Sequence, residues 1–326
     1  METRNAARIG RDLSVIGLGT WQLGGDWGDV PESDALALLE ALVEAGVTFF
    51  DTADVYGDGR SEQLIGRFLA EHPDLTLTVA TKMGRRVDQV PENYTLENFR
   101  AWTDRSRRNL GADQLDLVQL HCPPTSVYSH DEVYDALDTL VEEQVIAAYG
   151  VSVETSDEAL TAISRRGTAT VQIILNAFRL KPLEYVLPAA QEAGVGIIAR
   201  VPLASGLLTG KYDESTTFAP DDHRNFNRNG EAFDVGETFS GVPFEVGVAA
   251  AREVAAIAGD MPTAAFALRW VIDQPGVTTV IPGARTVEQV RGNVAAAELP
   301  PLTDAQLSDL ERVYDERIRA HVHDRW

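Results

Sequence analysis

The sequence predicts an α/β fold, a single (β/α)8 TIM barrel, from three observations. Segments typical of strands and of helices alternate along the chain, and eight strands are each followed by at least one helix. The strands are short, β-branched and apolar almost throughout, as in a parallel sheet that is covered on both faces. The first strand, which ends at Gly19, continues into Thr20 and Trp21 rather than into a glycine-rich turn and a helix, so a doubly wound dinucleotide-binding sheet is disfavoured.

The N-terminal elements are predicted from turn and cap residues. Two short extended pieces around residues 10–12 suggest a hairpin that leads into the first barrel strand at 15–19. Ser33 is expected to cap a helix over 33–45, and Gly46 is expected to end it. Further strands are predicted at 47–51, 76–82, 115–121, 146–151, 170–176, 195–201 and 277–281.

The remaining helices follow from 3.6-residue periodicity and from their end signals. Ser61 should cap the helix after the second strand, and the helix after the third should run from Thr95 towards Gly111. The predicted helices are 61–71, 95–109, 131–143, 156–166, 184–193, 245–258, 263–273, 286–297 and 303–319, the last two being extra C-terminal helices.

Length and composition favour one domain over residues 1–326, because no linker interrupts the alternation. Within this domain, residues 204–244 form a long segment rich in Gly, Asp, Asn and Phe, which is typical of a lid-like loop. The single cysteine, Cys122, excludes an intrachain disulfide and fits a reducing compartment. The N-terminus lacks an apolar signal core, so a cytoplasmic location is expected.

The charge balance excludes some classes of partner. The formal net charge is −22, and a protein this acidic repels nucleic acid and anionic membranes, which need basic patches. The sequence contains no run of about 18 apolar residues, so no membrane span is predicted. The acidity itself fits either adaptation to high salt or a GC-rich genome, and the sequence leaves both open. The oligomeric state is equally open.

The stretch from Phe49 to Glu62 predicts a strand, a loop and a helix. Asp51 should end the strand, and Tyr56 should lie on the loop that follows. A carboxylate and a phenol held in this way could form a proton-transfer site. The alternative is that Asp51 caps a turn and Tyr56 packs on the surface.

Two further polar residues end the next strands of the predicted barrel. Lys82 ends the third strand and His121 ends the fourth. In a barrel the active site is built at the carboxyl ends of the strands, so Asp51, Tyr56, Lys82 and His121 are predicted to meet on one rim. Taken singly, each has an ordinary structural explanation, but together they indicate a catalytic site.

The sequence resembles the aldo-keto reductase superfamily over nearly its whole length. The motifs that carry the resemblance are Gly17-Leu18-Gly19-Thr20-Trp21, Asp51-Thr52-Ala53, Tyr56-Gly57, Ser61-Glu62, Thr81-Lys82, Leu120-His121, Gly150-Val151-Ser152, the run from Pro202 to Lys211, and Ile281-Pro282-Gly283. The resemblance implies a (β/α)8 barrel that uses a nicotinamide cofactor, and it places the family's catalytic tetrad on Asp51, Tyr56, Lys82 and His121.

The tetrad is chemically coherent. Reduction of a carbonyl needs a hydride at carbon and a proton at oxygen, and Tyr56 would supply the proton. A phenol has an ordinary pKa near 10, and the Lys82 ammonium is expected to lower the pKa of Tyr56. Asp51 would pair with Lys82, and His121 would orient the substrate oxygen.

The resemblance also implies the contacts of the cofactor, NADPH, with NAD possible. Ser152 and Gln172 would hold the nicotinamide carboxamide, the segment 203–208 would wrap the pyrophosphate, and Arg285 would bind a 2′-phosphate beside a helix start. Gln289 has a second interpretation, as the partner of Thr286 in a capping box. The full predicted set is Thr20, Trp21, Ser152, Gln172, Asn176, Arg200, Pro202, Leu203, Ser205, Gly206, Leu208, Gly283, Arg285, Gln289 and Asn293.

The chain departs from the family pattern at two places. Many relatives have a tyrosine on the seventh strand that stacks on the nicotinamide, whereas this chain has Arg200. Where relatives often have Pro-Asp after the histidine, this chain has Cys122 followed by two prolines, and Cys122 is interpreted as packing. No metal site is predicted, because His121 has no second ligand at a suitable spacing. His321 and His323 are expected to lie in a solvated tail.

The function predicted is NADPH-dependent reduction of an aldehyde or ketone, a small-molecule carbonyl substrate. The alternatives are an NAD(P)-dependent sugar or alcohol dehydrogenase, a non-catalytic nucleotide-binding regulatory subunit on the same fold, and a barrel lyase or isomerase in which Lys82 forms a Schiff base. The substrate and the direction of the reaction are left open. The side chains expected to contact the substrate are Trp21, Trp27, Tyr128, Phe218 and Phe226.

Overall fold

The computed structural model describes residues 1–24 and 30–326, and in these residues eight parallel strands form one sheet. Each strand pairs with the next one along the chain, which is the order of a (β/α)8 barrel and confirms the predicted fold class. The strands are β3 Leu18–Gly19, β4 Phe49–Asp51, β5 Thr78–Met83, β6 Leu117–His121, β7 Tyr149–Ser152, β8 Thr168–Ile174, β9 Gly196–Arg200 and β10 Val277–Val280.

The barrel closes between the first and last strands through backbone hydrogen bonds. Gly17 N–H donates to Val280 O over 2.8 Å, and Val280 N–H donates to Val15 O over 2.9 Å. A parallel bridge joins Gly19 to Gly283 further along. The first barrel strand, β3, is shorter than the predicted strand at 15–19. Residues in this range still form the hydrogen bonds and the bridge that close the sheet.

A hairpin of β1 Thr3–Ala6 and β2 Arg11–Ser14 covers one end of the barrel. Its Ala6 and Leu13 pack into the barrel interior with residues that lie mostly near the starts of strands, including Phe49 and Leu117. Because the hairpin fills this end, the carboxyl ends of the strands face the other, where a site can open. The hairpin begins earlier in the chain than predicted.

The helices of the described residues lie around the sheet. They are α1 Glu32–Glu44, α2 Arg60–Glu71, α3 Leu96–Leu110, α4 Asp131–Glu142, α5 Ser156–Ile163, α6 Val186–Ala193, α7 His223–Phe226, α8 Phe244–Ala258, α9 Thr263–Asp273, α10 Val287–Ala295, α11 Asp304–Val313 and α12 Arg319–Val322. A π-helical turn, Tyr314–Ile318, separates the last two where one continuous helix was predicted. None of these helices has the length and apolar character that crossing a membrane requires.

Two of the predicted helix caps are wrong, and one is confirmed. Thr95 caps α3 by accepting from Asn98 N–H, and Gly111 ends α3 in the left-handed conformation. Ser33 makes no capping bond to α1. Ser61 lies inside α2 and instead donates to Thr20 Oγ1 over 2.8 Å, because burial directs its hydroxyl towards the end of β3 rather than towards the free amides of its own helix.

Short helical turns occupy the long segment 204–244, at Ala204–Thr209, His223–Phe226, Val235–Glu237 and Phe239–Gly241. Its polar groups bind the barrel and one another: Asn176 Nδ2 donates to Ser240 Oγ over 2.8 Å, and within the segment the hydroxyl of Ser205 donates to Glu237 O over 3.0 Å. The lid role of this segment, and the extent of one domain over 1–326, stay predictions.

The prediction of a solvated C-terminal tail is correct for His321, which is exposed, and wrong for His323. His323 and Trp326 are buried. The Trp326 ring stacks on the guanidinium of Arg179 at 3.7 Å and donates from Nε1 to Asp234 over 3.0 Å. His323 bonds Glu184 through Nε2 at 2.7 Å. The terminus therefore packs beneath the long segment because aromatic burial outweighs the polarity of its neighbours.

Candidate active site

The structure brings three of the four predicted catalytic residues into direct contact at the carboxyl ends of the strands. Lys82 on β5 forms an ion pair with Asp51, which ends β4. The same ammonium donates to Thr52 O over 2.9 Å and to the Tyr56 hydroxyl over 3.4 Å. His121 ends β6, and its ring centre lies 5.9 Å from that of Tyr56. The prediction that these side chains lie together on one rim of the barrel is confirmed. Their catalytic roles stay a hypothesis.

Two buried glutamines hold the second oxygen of the Asp51 carboxylate. Gln172 donates to Asp51 Oδ2 over 2.7 Å, and Gln119 donates to the same oxygen over 3.1 Å. The sequence analysis missed Gln119, which could have been found because it lies two residues before His121 and so faces the barrel interior with it. Because the carboxylate can only accept, the amide nitrogen of Gln172 is occupied, and its carbonyl oxygen is the group left for a ligand.

The expected lowering of the Tyr56 pKa is wrong for this protein without a bound ligand. Burial raises the pKa of the Tyr56 phenol above its usual value near 10, and this outweighs the lowering by the Lys82 ammonium. Asp51 contributes in the same direction as burial, because its carboxylate offsets the charge of Lys82. Tyr56 therefore keeps its proton at neutral pH, as a proton donor must.

Lys82 and His121 have opposite protonation states. Burial by itself would lower the pKa of Lys82, but the adjacent Asp51 carboxylate and Tyr56 raise it overall, so the ammonium is charged. Burial, with the cations Arg85 and Lys82 nearby, holds the pKa of His121 well below its usual value, so the imidazole is neutral. His121 Nδ1 is buried without a hydrogen-bond partner in the described part of the chain. A neutral imidazole can donate one N–H to a substrate oxygen.

The raised pKa of Tyr56 can be tested by titration. We expect the difference in phenolate absorbance between the ligand-free protein and its Tyr56→Phe variant to appear only above pH 10, since burial disfavours the charged form. The exposed Tyr185→Phe variant serves as the control for an accessible phenol, because Tyr185 is 64% exposed. A Tyr56 signal that appears below pH 10 would show that Lys82 outweighs burial after all.

A cavity of about 710 Å³ extends from this cluster along the carboxyl ends of the strands. Most of the predicted cofactor residues line it: Thr20, Trp21, Ser152, Gln172, Arg200, Pro202, Leu203, Ser205, Gly206, Gly283, Arg285, Gln289 and Asn293. Asn176 and Leu208 do not. The amide of Asn176 is already bonded to Val201 O, Ser240 Oγ and Phe178 N–H, and Leu208 is fully buried in the core.

The cavity also reaches the start of α10. The guanidinium of Arg285 has no ion-pair or hydrogen-bond partner among the described residues. Thr286 caps α10 by accepting from Gln289 N–H over 3.3 Å, while the Gln289 side chain binds Arg285 N–H over 2.7 Å. The capping box predicted for Gln289 is thus displaced by one residue. Its side chain supports the helix start and also lines the cavity.

The N-terminus of α9 also lines the cavity, and the sequence analysis missed it. Pro262, Thr263, Ala264 and Ala265 form the wall there, and no side chain caps the helix. The free amides and the positive end of a helix attract anions, and small side chains allow a close approach. The signal was present as a proline directly before a helix that starts with Thr-Ala-Ala.

The aromatic walls differ from those predicted. Trp21 lines the cavity, with its ring 6.1 Å from Tyr56, 5.0 Å from His223 and 5.8 Å from Phe233. His223 and Phe233 come from the long segment and were not predicted; they pack against Trp21 and do not line the cavity themselves.

Three of the predicted substrate contacts do not reach the cavity, and a fourth lies outside the described residues. Tyr128 is buried and donates its hydroxyl to Ser152 O over 2.9 Å, because a buried phenol needs a partner. Phe218 packs on Phe239 and Phe244, and Phe226 is 40% exposed. Trp27 lies outside the described residues.

The donor groups of the cavity fit a dinucleotide phosphate. The lining includes an amide oxygen and a hydroxyl near the Tyr56 cluster, the uncapped amides at the start of α9, and Arg285 before α10. These groups match a carboxamide, a pyrophosphate and a further phosphate. Fold and site together define a (β/α)8 barrel with a half-buried tyrosine beside a buried lysine and aspartate at its rim.

Comparison with known proteins gives the family. The model of the aldo/keto reductase family matches residues 15–315, and the chain belongs to this family. It is an NAD(P)H-dependent oxidoreductase of that family, and the recognition made from the sequence motifs is confirmed.

Individual relatives agree in length and fold. The aldo-keto reductase YhdN of Bacillus subtilis is 30% identical over 89% of this chain and 87% of its own. The glycerol dehydrogenase AKR11B4 of Gluconobacter oxydans has a TM-score of 0.79 at 32% identity, covering 98% of this chain and 96% of its own. An aldo/keto reductase of Klebsiella pneumoniae in complex with NADP and acetate has the same fold, with a TM-score of 0.68 at 24% identity over 94% and 93% of the two chains.

Proposed function

We propose that this protein reduces a small aldehyde or ketone with NADPH, and that Tyr56 donates the proton to the carbonyl oxygen. The observation that carries the proposal is the hydrogen bond of the Tyr56 hydroxyl to the Lys82 ammonium, at a cavity that His121 also lines. Bound NADPH would supply a hydride to the carbonyl carbon. The experiment that tests the proposal is titration with NADPH, followed by turnover on a panel of carbonyl compounds.

The side chains have distinct roles in this proposal. The neutral His121 donates a hydrogen bond that orients the carbonyl oxygen towards Tyr56. Tyr56 transfers its proton to that oxygen, and the phenolate that forms is stabilised by the Lys82 ammonium at 3.4 Å. Asp51 keeps Lys82 charged and fixed in place, and the two glutamines fix Asp51 in turn.

The cofactor would extend from this cluster to α10. Ser152 and the free oxygen of Gln172 would bind the carboxamide, and the uncapped start of α9 would bind the pyrophosphate. Arg285 would bind a 2′-phosphate, because its guanidinium lies at the cavity wall in an otherwise strongly acidic protein. NADPH is therefore preferred over NADH in this proposal.

The choice of cofactor gives a prediction for Arg285. A charge-assisted hydrogen bond contributes about 1.5–3 kcal/mol, which is roughly a 10–150-fold change in affinity. Arg285→Ala should weaken NADPH binding by that factor and leave NADH binding nearly unchanged. The matched control is Arg291→Ala, on the helix α10 that follows Arg285, exposed and outside the cavity wall. An equal loss for both cofactors would exclude Arg285 as the phosphate contact.

A second candidate is the oxidative direction, favoured by the similarity to the glycerol dehydrogenase of Gluconobacter oxydans. In that direction the phenolate of Tyr56 would act as a base. The raised pKa of Tyr56 makes this form scarce at neutral pH, so alcohol or sugar oxidation should increase with pH. If the protein oxidised an alcohol faster than it reduced a carbonyl at neutral pH, the dehydrogenase function would be favoured.

The two remaining alternatives are less compatible with the geometry. A Schiff base needs a neutral, accessible amine, whereas Lys82 is 1% exposed and paired with Asp51, with a raised pKa. A regulatory subunit without activity would not need a proton donor bonded to an ammonium at the cavity. Turnover with NADPH and a generic aldehyde would exclude the regulatory subunit.

A further inference from the structure

Four charged side chains form a compact network beside the cavity, and two of them, Arg200 and Glu237, line it. Arg200 NH2 lies 2.8 Å from Glu154 Oε2, and Arg200 NH1 lies 3.3 Å from Glu237 Oε2. Arg85 lies 3.8 Å from Glu154 and 3.6 Å from Glu237 on the other side of the two carboxylates. Two guanidiniums and two carboxylates thus alternate, and all four side chains are more than three-quarters buried.

The network joins the barrel to the long segment. Arg200 ends β9, Arg85 follows β5 and Glu154 follows β7, whereas Glu237 belongs to the helical turn Val235–Glu237. Arg200 also donates to Val153 O over 3.1 Å and to Cys122 Sγ over 3.8 Å, so four groups fix its guanidinium. Its Nε is buried without a hydrogen-bond partner in residues 1–24 and 30–326.

Arg200 and Glu237 face the cavity beside the predicted carboxamide contacts. Both line it, together with Ser152 and Gln172 at the ends of β7 and β8. In the proposed function, the hydride must reach a carbon whose oxygen is held by Tyr56 and His121. The side chains that would hold the nicotinamide are then those at the carboxyl side of β7 to β9, and Arg200 is the cation among them.

The charge of Arg200 matters because the ring changes its charge in the reaction. The ring is neutral in NADPH and cationic in NADP⁺. An unpaired guanidinium against the ring would repel the oxidised form selectively, whereas two carboxylates at 2.8 Å and 3.3 Å offset this repulsion. A planar cation that is neutralised on its edges can still stack on the ring.

We propose that Arg200, neutralised by Glu154 and Glu237, forms the platform for the nicotinamide and sets the ratio of NADP⁺ affinity to NADPH affinity. This inference rests on the proposed function and adds a role for Glu237, which no motif indicated. The long segment thereby contributes to the redox balance of the bound cofactor through one carboxylate. The two carboxylates also explain how an arginine can lie at this position, because an uncompensated cation there would oppose oxidation of the ring.

The test measures dissociation constants for NADPH and NADP⁺ separately, by quenching of tryptophan fluorescence. Glu237→Gln removes one negative charge and should raise the NADP⁺-to-NADPH ratio of dissociation constants by about tenfold. Glu154→Gln should shift the ratio in the same direction but by less, because burial raises the pKa of Glu154 and so reduces its negative charge. Arg200→Met removes the positive charge and should lower the ratio by a similar factor. Opposite signs are expected because the variants leave opposite net charges beside the ring.

The matched control is Glu214→Gln, in the same segment, because Glu214 pairs with Arg252 at 2.6 Å but is exposed and outside the cavity wall. It should leave the ratio unchanged. The role of Arg200 would be overturned if the variants changed the affinities for NADPH and NADP⁺ equally. It would also be overturned if Glu237→Gln and Arg200→Met shifted the ratio of the two dissociation constants in the same direction. An unmodified protein that binds neither form would instead overturn the proposed function, so the two failures are distinguishable.

Discussion

Replacing Tyr56 with Phe should reduce carbonyl turnover by about 10²–10⁴-fold, because general acid catalysis is typically worth that factor. The variant loses one hydroxyl and keeps the ring, which stacks at 6.1 Å on Trp21 and lies 5.1 Å below the Lys82 ammonium. The cavity wall is therefore preserved, and NADPH affinity should change little. The measurement pairs steady-state kcat with a direct cofactor titration.

Tyr185→Phe is the matched control for this substitution. The side chain of Tyr185 is 64% exposed and precedes α6, away from the cavity. Its turnover should equal that of the unmodified protein. If Tyr56→Phe retained full turnover, Tyr56 would not be the proton donor. If the variant also lost NADPH binding, the lower rate would result from a damaged cofactor site rather than from the loss of a proton donor.

The barrel could be predicted because its signals are local and repeated. Short buried strands alternate with amphipathic helices, and each pair is specified by its own residues. Strand ends then place the polar residues on one rim, so Asp51, Lys82 and His121 could be brought together without coordinates. The closure between Gly17 and Val280 follows from the same alternation.

Long-range partners could not be predicted from sequence spacing. Glu237 reaches Arg200 only because the long segment folds onto the cavity, and no periodic pattern describes that segment. Ser61 was misread for a related reason. Its cap interpretation used neighbours in the chain, whereas its actual partner, Thr20, is brought close by the barrel.

The direction of the Tyr56 pKa also depended on burial, which a sequence does not give. The expected effect of Lys82 on Tyr56 has the correct sign. Its weight was overestimated, because Asp51 neutralises the ammonium and the phenol is desolvated. Charge pairs in a buried cluster therefore need the complete set of neighbours before a net shift can be assigned.

The buried ion pair of Lys82 and Asp51 gives the largest expected effect on stability. Lys82→Met leaves the Asp51 carboxylate buried, and the amides of Gln119 and Gln172 are then its only side-chain partners among the described residues. Breaking a buried pair typically costs about 3–5 kcal/mol in the free energy of unfolding. We therefore expect a loss of that size in urea denaturation, together with a loss of turnover and a further rise in the pKa of Tyr56.

The double variant Lys82→Met/Asp51→Asn separates stability from catalysis. It removes both charges, so no unpaired ion remains buried, and the free energy of unfolding should recover in large part relative to Lys82→Met alone. Turnover should not recover, since the ammonium beside the phenol is still absent. Lys181→Met is the control, because its pair with Glu184 at 3.3 Å is more exposed and is expected to contribute about 0–1 kcal/mol. If the stability losses of the two single variants simply add in the double variant, Lys82 and Asp51 are not energetically coupled. If turnover survives Lys82→Met, the ammonium does not stabilise the phenolate.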